Sequence, residues 1–213
     1  MAATRLPLRS TALHLQRLAM LDVRVFDDVR VDPRATLPAI GVAALSTLLL
    51  GLGGWLWWVT SGLGDAPSVF VKSVLLGTAF SMALWLAWLL IVYLVMHRLA
   101  HTMVSVDQLV RAAGFASAPL ALGVLMVIPP FSFGIGLIAV VAWVLLTQAA
   151  IERVSGLAGG VPMLANAAGF AVWALGLSLL STGANPLAPG PFVAESIWNA
   201  LTSLELARTV AGG

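Results

Sequence analysis

The sequence predicts an all-α fold: an integral membrane bundle of five transmembrane helices with a short amphipathic helix near the N-terminus. Five runs each reach about the 20 apolar residues that a helix needs to cross about 30 Å of hydrocarbon. The composition agrees, since 60% of the residues are hydrophobic and only 9% are charged, whereas a soluble domain carries about 25% charged residues. The runs are continuously apolar, which argues against the alternating segments of about ten residues that build a membrane β-barrel.

The predicted spans divide the chain into three parts. Residues 1–36 form an N-terminal segment, residues 37–182 form the transmembrane domain, and residues 183–213 form a C-terminal tail. The predicted spans are residues 37–59, 74–96, 106–128, 131–151 and 161–182. Arginines interrupt the segment before Leu37, so we expect no cleavable signal peptide, although its acid-free start leaves a transit peptide as an alternative.

The Lys and Arg residues predict how the bundle is oriented. Five crossings place the N-terminal segment and the loops after the second and fourth spans on one side of the membrane. Of the 11 Lys and Arg residues, all except Lys72 and Arg208 lie on that side. Because short cytoplasmic loops are enriched in Lys and Arg, this bias predicts a cytoplasmic N-terminus and an external C-terminus.

The third predicted span carries several local signals. Asp107 and Arg111 form an acid-then-base pair, four residues apart, in the first turn of a helix that emerges from the membrane interface. Pro119 removes a backbone hydrogen bond and predicts a kink. The short apolar connection 129–134 is either a tight hairpin at the outer interface or part of a re-entrant pair of half-buried helices. We favour the hairpin because both flanking runs are long enough to span.

Two segments outside the spans have amphipathic patterns. Between Leu13 and Val29, apolar residues recur at helical spacing with charged residues between them, which predicts one helix. Such a helix lies on the cytoplasmic leaflet, docks a partner or packs under the bundle. The tail from Val193 to Val210 has a weaker version of the pattern, to which we assign no function.

Polar and small residues within the spans predict helix packing first. Asn166 and Gln148 would be costly against lipid, so we expect them to face other helices and form interhelical hydrogen bonds. Gly114 and Ser117, with neighbouring alanines, are expected to let another helix approach the third span closely. An alternative role for Asn166, Gln148 and Ser117, with the kink at Pro119, is to line a pathway for a small solute.

One histidine pair has the spacing of a ligand site. His97 and His101 stand four residues apart at the cytoplasmic end of the second span, so a helix would point both imidazoles to one face. Such a pair can bind a metal ion, and either histidine can ligate a haem or a chlorophyll. The chain has no Cys, and only Asp107 follows nearby. We therefore expect polar residues that end a helix, and no cofactor.

The sequence shows no pattern of catalytic machinery. No Asp, Glu, Lys, Arg or His occupies the middle third of any predicted span, whereas ion-coupled transporters normally need such groups. An intramembrane hydrolase needs a nucleophile with a base, or several metal ligands, at one depth. We see neither arrangement, nor a Gly-rich phosphate loop. We therefore expect neither a coupled transporter nor an enzyme.

Short motifs follow a fixed order around the first and third spans. Phe26 and the pair Asp32-Pro33 precede the first span, residues 108–119 (QLVRAAGFASAP) open the third, and Ile128-Pro129 close it. This order resembles the Yip family of small multi-span membrane proteins, with its pre-span Phe and Asp-Pro element, its Arg-x-x-Gly-x-Ala-x-x-Pro segment and its Ile-Pro exit. The resemblance covers residues from Leu21 to Leu180.

The resemblance implies a five-helix bundle with a cytoplasmic N-terminus. Eukaryotic relatives act in vesicle trafficking and bind prenylated Rab-type GTPases through a longer N-terminal region, whereas prokaryotic relatives have no settled activity. The Ala-, Arg- and Gly-rich composition looks more like that of a bacterial member. GTPase binding is therefore not carried over to this chain, and neither is any catalytic residue.

These observations favour a non-enzymatic scaffold or accessory subunit of a membrane assembly, or a protein of membrane organisation, in a bacterial inner membrane. The expected partners are membrane lipids, other membrane proteins or a second copy of the chain, and not nucleic acid. One alternative is a channel or facilitator for a small solute. Another is a pigment- or haem-associated subunit that uses His97 or His101.

Overall fold

A computed structural model describes residues 7–63, 66–102 and 104–181. Within these ranges the chain forms α, 3₁₀ and π helices and no β-strand. Five helical stretches are long and apolar enough to cross a membrane, so the predicted all-α membrane bundle is confirmed. They run over Pro33–Thr60, Pro67–Ala100, Val106–Val127, Pro129–Ser155 and Gly160–Leu180. The predicted C-terminal tail, including its amphipathic segment, lies outside the described residues.

The described part of the N-terminal segment contains two α-helices where one helix was predicted, followed by a 3₁₀ turn over Pro33–Ala35. Helix α1 spans Pro7–Ala19 and helix α2 spans Val25–Val31. Leu21 between them has a φ of 60°, a left-handed conformation that cannot continue a right-handed helix. The prediction of one helix from Leu13 to Val29 is therefore wrong. We refer to α1, α2 and the turn between them as the N-terminal layer.

The first span agrees with the prediction and the second is longer than predicted. Helix α3 spans Thr36–Thr60. The second span comprises four consecutive segments: α4 (Ala66–Phe70), a π segment (Val71–Leu76), α5 (Gly77–Val95) and a second π segment (Met96–Ala100). Lys72, which we placed in a loop, lies buried in the first π segment.

The third span changes its helix type halfway. Helix α6 spans Val106–Ala116, and a 3₁₀ helix, the 3₁₀ segment, spans Ala118–Val127 with Pro119 in its first turn. In place of the predicted kink, the structure has a change to a helix that is wound more tightly and rises further per residue. The 11 α-helical and 10 3₁₀ residues extend about 37 Å, at about 1.5 Å and about 2.0 Å per residue, which exceeds the hydrocarbon thickness of about 30 Å.

The 3₁₀ segment has three distinct faces. Because it has three residues per turn, every third side chain points the same way. Leu120, Gly123 and Met126 are buried on one face. Leu122 and Leu125 lie on another and are exposed. The third face, with Ala118, Ala121, Val124 and Val127, is half-buried, so the second half of the third span packs between α3 and α7 and leaves one face exposed.

The fourth and fifth spans complete the bundle. Helix α7 spans Ser132–Ser155 and helix α8 spans Gly160–Leu180. A single 3₁₀ turn, Pro129–Phe131, joins the third span to α7. Helix α7 packs against both α6 and the 3₁₀ segment, which supports the hairpin interpretation. Gly156, with a φ of 68°, ends α7 in the left-handed conformation that glycine adopts without strain.

The third span lies at the centre of the packing. It contacts α3 on one side and α7 on another, and α2 packs across α6. Two glycines bring the third span against α3. A Cβ on Gly114 would stand 2.6 Å from the Ala39 carbonyl oxygen, and one on Gly53 would overlap the Gly123 carbonyl. Helix α5 packs mainly against α8.

Candidate functional site

One concave feature of the described residues is an apolar groove on the side of the bundle. It has a volume of about 660 Å³, within the range of ligand pockets in general. It lies between α3 and α7, with the 3₁₀ segment as its floor and the N-terminal layer at one end. Its lining residues are Leu15, Leu18, Ala19, Leu21, Val42, Leu45, Ser46, Leu49, Ala118, Pro119, Ala121, Leu122, Ala142, Leu145 and Leu146.

The sequence of the third span explains why a groove forms here. A 3₁₀ helix is narrower than an α-helix because it is wound more tightly. The groove floor carries the short side chains of Ala118 and Ala121 beside Pro119, and α7 contributes Ala142. Leu45, Leu122 and Leu145 line its mouth and are 58%, 45% and 63% exposed. The groove therefore opens sideways, on the face of the spans.

The N-terminal layer closes one end of the groove and is held by ion pairs. Arg17 donates hydrogen bonds to Asp22 (2.8 Å) and to Asp28 (2.6 Å). The bond from Arg17 lowers the pKa of the Asp22 carboxyl, because it stabilises the ionised form. Since Asp22 follows α1 and Asp28 lies in α2, Arg17 fixes the angle between the two helices. Leu15 and Leu18, which lie on either side of Arg17 in the sequence of α1, line the groove.

A second set of contacts fixes the N-terminal layer to α7. Arg153 donates to the Asp27 carboxylate (2.9 Å), and Arg30 donates to the Arg153 carbonyl oxygen (2.8 Å). Phe26 and Val29 of α2 are completely buried beneath these bonds. The N-terminal segment and the loop after the fourth span therefore lie at the same end of the bundle, as five alternating crossings require. Which end is cytoplasmic stays a prediction.

His14 connects α1 to the third span. Its ring packs edge-on against Phe115, with 5.5 Å between the ring centroids. Burial lowers the pKa of His14, mainly by disfavouring the charged imidazolium, while Asp28 acts in the opposite direction. The neutral ring therefore suits this contact better than the charged ring.

The residues predicted for packing or for a pathway lie in separate places. Asn166 in α8 donates a hydrogen bond to the Val144 carbonyl of α7 (3.2 Å), which is an interhelical bond as expected. Gln148 instead donates to Glu152 of its own helix (2.9 Å), so the interhelical bond predicted for Gln148 is not the one that forms. Ser117 is buried and donates to the Ala113 carbonyl (3.0 Å).

Only one of these predicted pathway residues lines the groove. Pro119 does, whereas Asn166, Gln148 and Ser117 do not. Gly114 lies in the contact with Ala39 of α3. The predicted set therefore does not form the wall of a common groove.

The predicted pair Asp107 and Arg111 is linked differently from a simple ion pair. Arg111 is only 8% exposed, and its Nε donates to the backbone carbonyl of Asp107 (3.1 Å). Asp107 itself is exposed at the start of α6. The arginine thus bonds to the first turn of its own helix while its side chain packs against the bundle.

The predicted histidine pair does not keep helical spacing. His97 lies in the second π segment and stacks on Tyr93, with 5.9 Å between the ring centroids. His101 ends that segment in a left-handed conformation, with a φ of 51°. The two imidazoles therefore do not lie on one face of a regular α-helix. Within the described ranges, no group of three or more His, Asp or Glu side chains is arranged to hold a metal ion.

Two features of the bundle were missed by sequence reasoning. The first is the groove, whose only sequence signal is Pro119. The second is an aromatic cluster of four rings in mutual contact, between α5, α7 and α8. Its members are Trp88, Trp143, Phe170 and Trp173. The tryptophans recur in the sequence, but the sequence does not show that they meet.

Comparison with known proteins adds no identification. No family model, no curated protein and no solved structure matches the chain. The resemblance to the Yip family therefore stays a prediction from the motifs.

Proposed function

We propose that the chain is a non-enzymatic scaffold or accessory subunit of a membrane assembly. Its contact site is the N-terminal layer together with the groove beside the third span. The partners are other membrane proteins or a second copy of the chain, with membrane lipids at the groove side. We propose further that it is a Yip-like protein of a bacterial inner membrane, with the N-terminal layer in the cytoplasm.

One observation carries this proposal: the N-terminal layer is firmly held on the bundle and yet exposes large apolar side chains. Met20 and Val31 are 71% and 66% exposed, and neither lines the groove. They lie outside the five spans, so their exposure is not explained by a position within the hydrocarbon. Exposed apolar surface that is held in a fixed shape is typical of a site for a protein partner or for the membrane interface.

The bundle interior gives the proposal further support. The contacts between spans are made by glycines and by a continuous core of aliphatic, methionine and aromatic side chains. The middle third of each predicted span carries no ionisable side chain, and such groups are what charge-relay and acid–base chemistry use. These features suit a packing role.

Extraction into lipid nanodiscs from the native membrane, followed by mass spectrometry, tests the proposal. We expect a membrane protein to be retained by the wild type in a defined ratio. The double variant Met20→Glu with Val31→Glu should lose it, because both changes place a charge on the apolar surface. Gln16→Glu, a change at an exposed polar position of α1, is the matched control. Retention of no protein by the wild type, or equal retention by both variants, contradicts the proposal.

A further inference from the structure

We propose that the groove is a binding site for one acyl chain of a membrane lipid. This inference rests on the proposed contact function of the groove side and names its occupant. The groove belongs to the membrane-spanning part of the chain, and what enters it must come from the surrounding bilayer.

The position of the mouth decides which substance reaches the groove. Leu45, Leu122 and Leu145 belong to the first, third and fourth spans, and all three are exposed at the mouth. Exposed leucines on the outer face of a membrane bundle are in contact with hydrocarbon. The groove therefore opens into the acyl chains and not into water.

The lining decides which occupant is stable. Ser46 is the one polar side chain in the lining, and a buried water needs two to four polar partners, roughly three on average. Water is therefore a poor occupant. An empty groove would forfeit the dispersion contacts of its walls. A flexible hydrocarbon chain makes dispersion contacts with the apolar walls and carries no polar group that would itself need a partner.

The size of the groove fits one chain. If each methylene takes about 30 Å³, the share of a water molecule in the liquid, then 660 Å³ holds roughly twenty such groups. That is the scale of a single acyl chain. A whole lipid with two chains and a headgroup would not fit inside it.

The N-terminal layer distinguishes this groove from an ordinary lipid-facing surface. Leu15, Leu18 and Leu21 close its end, so a chain in the groove contacts α1 as well as three spans. A lipid at a smooth helix face contacts one or two helices. An occupant held on several sides exchanges more slowly than the surrounding lipid.

Photolabelling with a defined lipid tests the inference. The purified full chain in detergent is mixed with a phospholipid that carries a diazirine near the end of one acyl chain, illuminated and digested. We expect adducts to concentrate on peptides that contain Leu122 or Leu145, several-fold above those with Leu86 or Leu90, which are exposed on α5. An excess of unlabelled phospholipid should suppress the groove adducts and leave the others.

Two plug variants provide the controls. Ala121→Phe and Ala142→Phe add a ring to the groove and should lower the groove adducts several-fold. Ala83→Phe, at an exposed position of α5, should leave them unchanged. If a plug variant fails to fold, the comparison of groove and α5 adducts in the wild type decides. Equal labelling of the two surfaces, or groove adducts that do not saturate, would overturn the inference. A protein partner retained without groove labelling would disprove the acyl-chain site and leave the scaffold proposal standing.

Discussion

The two sides of the bundle are held together in different ways. Where α3 meets the third span, glycines let the backbones touch, as at Gly53 and Gly123. Where α5 meets α7 and α8, large rings fill the space, and the ring centroids of Trp88 and Trp143 are 4.8 Å apart. The first contact has no room for a side chain at Gly53 or Gly114, and the second loses its packing when a ring such as that of Trp88 is removed. Beside the backbone contact, the narrow 3₁₀ segment leaves the groove unfilled.

This difference matters because lipid removes the usual driving force. Apolar side chains gain little by leaving lipid for a protein interior, so helices associate through packing and hydrogen bonds. Close backbone contact and ring stacking are two ways to maximise packing. Each fails under the opposite kind of substitution, which makes the comparison testable.

The largest effect is expected from Gly53→Leu. Any side chain at this position overlaps the carbonyl group of Gly123, and backbone atoms cannot move aside as a flexible side chain can. We expect no folded, monodisperse protein by size-exclusion chromatography. Gly41→Leu in the same helix is the control, because a Cβ at Gly41 meets no atom within 4 Å. Similar yields of folded protein from the two variants would show that α3 does not touch the third span in this way.

Trp88→Ala should give the next largest loss. The ring is completely buried and contacts Trp143 and Phe170, so its removal leaves a cavity. Truncation of a buried aromatic costs about 3–5 kcal/mol in soluble proteins, and we expect about 3 kcal/mol here because the transfer term is smaller in lipid. Chemical unfolding in mixed micelles measures it. Trp57→Ala, at a half-buried position of α3, should cost much less, and equal costs would argue against a packed aromatic cluster.

The contact between Asp27 and Arg153 should contribute less. Both side chains are partly exposed, and an exposed ion pair typically contributes about 0.2–1 kcal/mol. A double-mutant cycle with Asp27→Ala and Arg153→Ala should give a coupling energy in that range, which falls at high salt. A parallel cycle with Asp27→Ala and Arg98→Ala should give none. Salt-independent coupling, or none between Asp27 and Arg153, would contradict the observed pairing.

The smallest expected effect is a pH dependence of the packing of α1 against the third span. The pKa of His14 is lowered in the folded state from its ordinary value of 6.5. Between the lowered pKa of the folded state and the ordinary value, the folded state therefore binds fewer protons than the unfolded state. The free energy of unfolding thus falls as the pH drops below about 6.5. A fluorescent label at Ala12→Cys should report loosening of α1 on acidification. His14→Gln should abolish that response, and an unchanged response would assign it to another group.

The spans were predictable because their signal is local. A run of about 20 apolar residues identifies a crossing regardless of its neighbours. The second span was underestimated because the charged residue Lys72 was placed outside it, whereas both Pro67 and Lys72 lie in its first two segments and proline is tolerated in the first turn of a helix. No glycine or proline lies near Leu21 to predict the break there, and the hydrogen bonds from Arg17 to Asp22 and Asp28 span it.

The groove was not predictable from one sequence. Its walls come from three spans and α1. How these elements are placed against one another depends on contacts between distant parts of the sequence, such as that of Gly114 with Ala39. The 3₁₀ segment was hidden because none of its ten residues is polar, so no change of residue type along the sequence marks its period. Gln148 bonds to Glu152 four residues along its own helix, an option that its sequence spacing allowed. The left-handed backbone of His101 gave no signal at all.

Spin labels at single cysteines placed from Pro119 to Ile128, leaving out Gly123, test the 3₁₀ segment most directly, since the chain has no cysteine of its own. Their accessibility to dissolved oxygen in a bilayer should repeat every three residues, high at Leu122 and Leu125 and low at Leu120 and Met126. An α-helix would instead place Leu122 and Met126 on one face. Equal, high accessibility at those two positions would contradict the 3₁₀ segment and, with it, the groove.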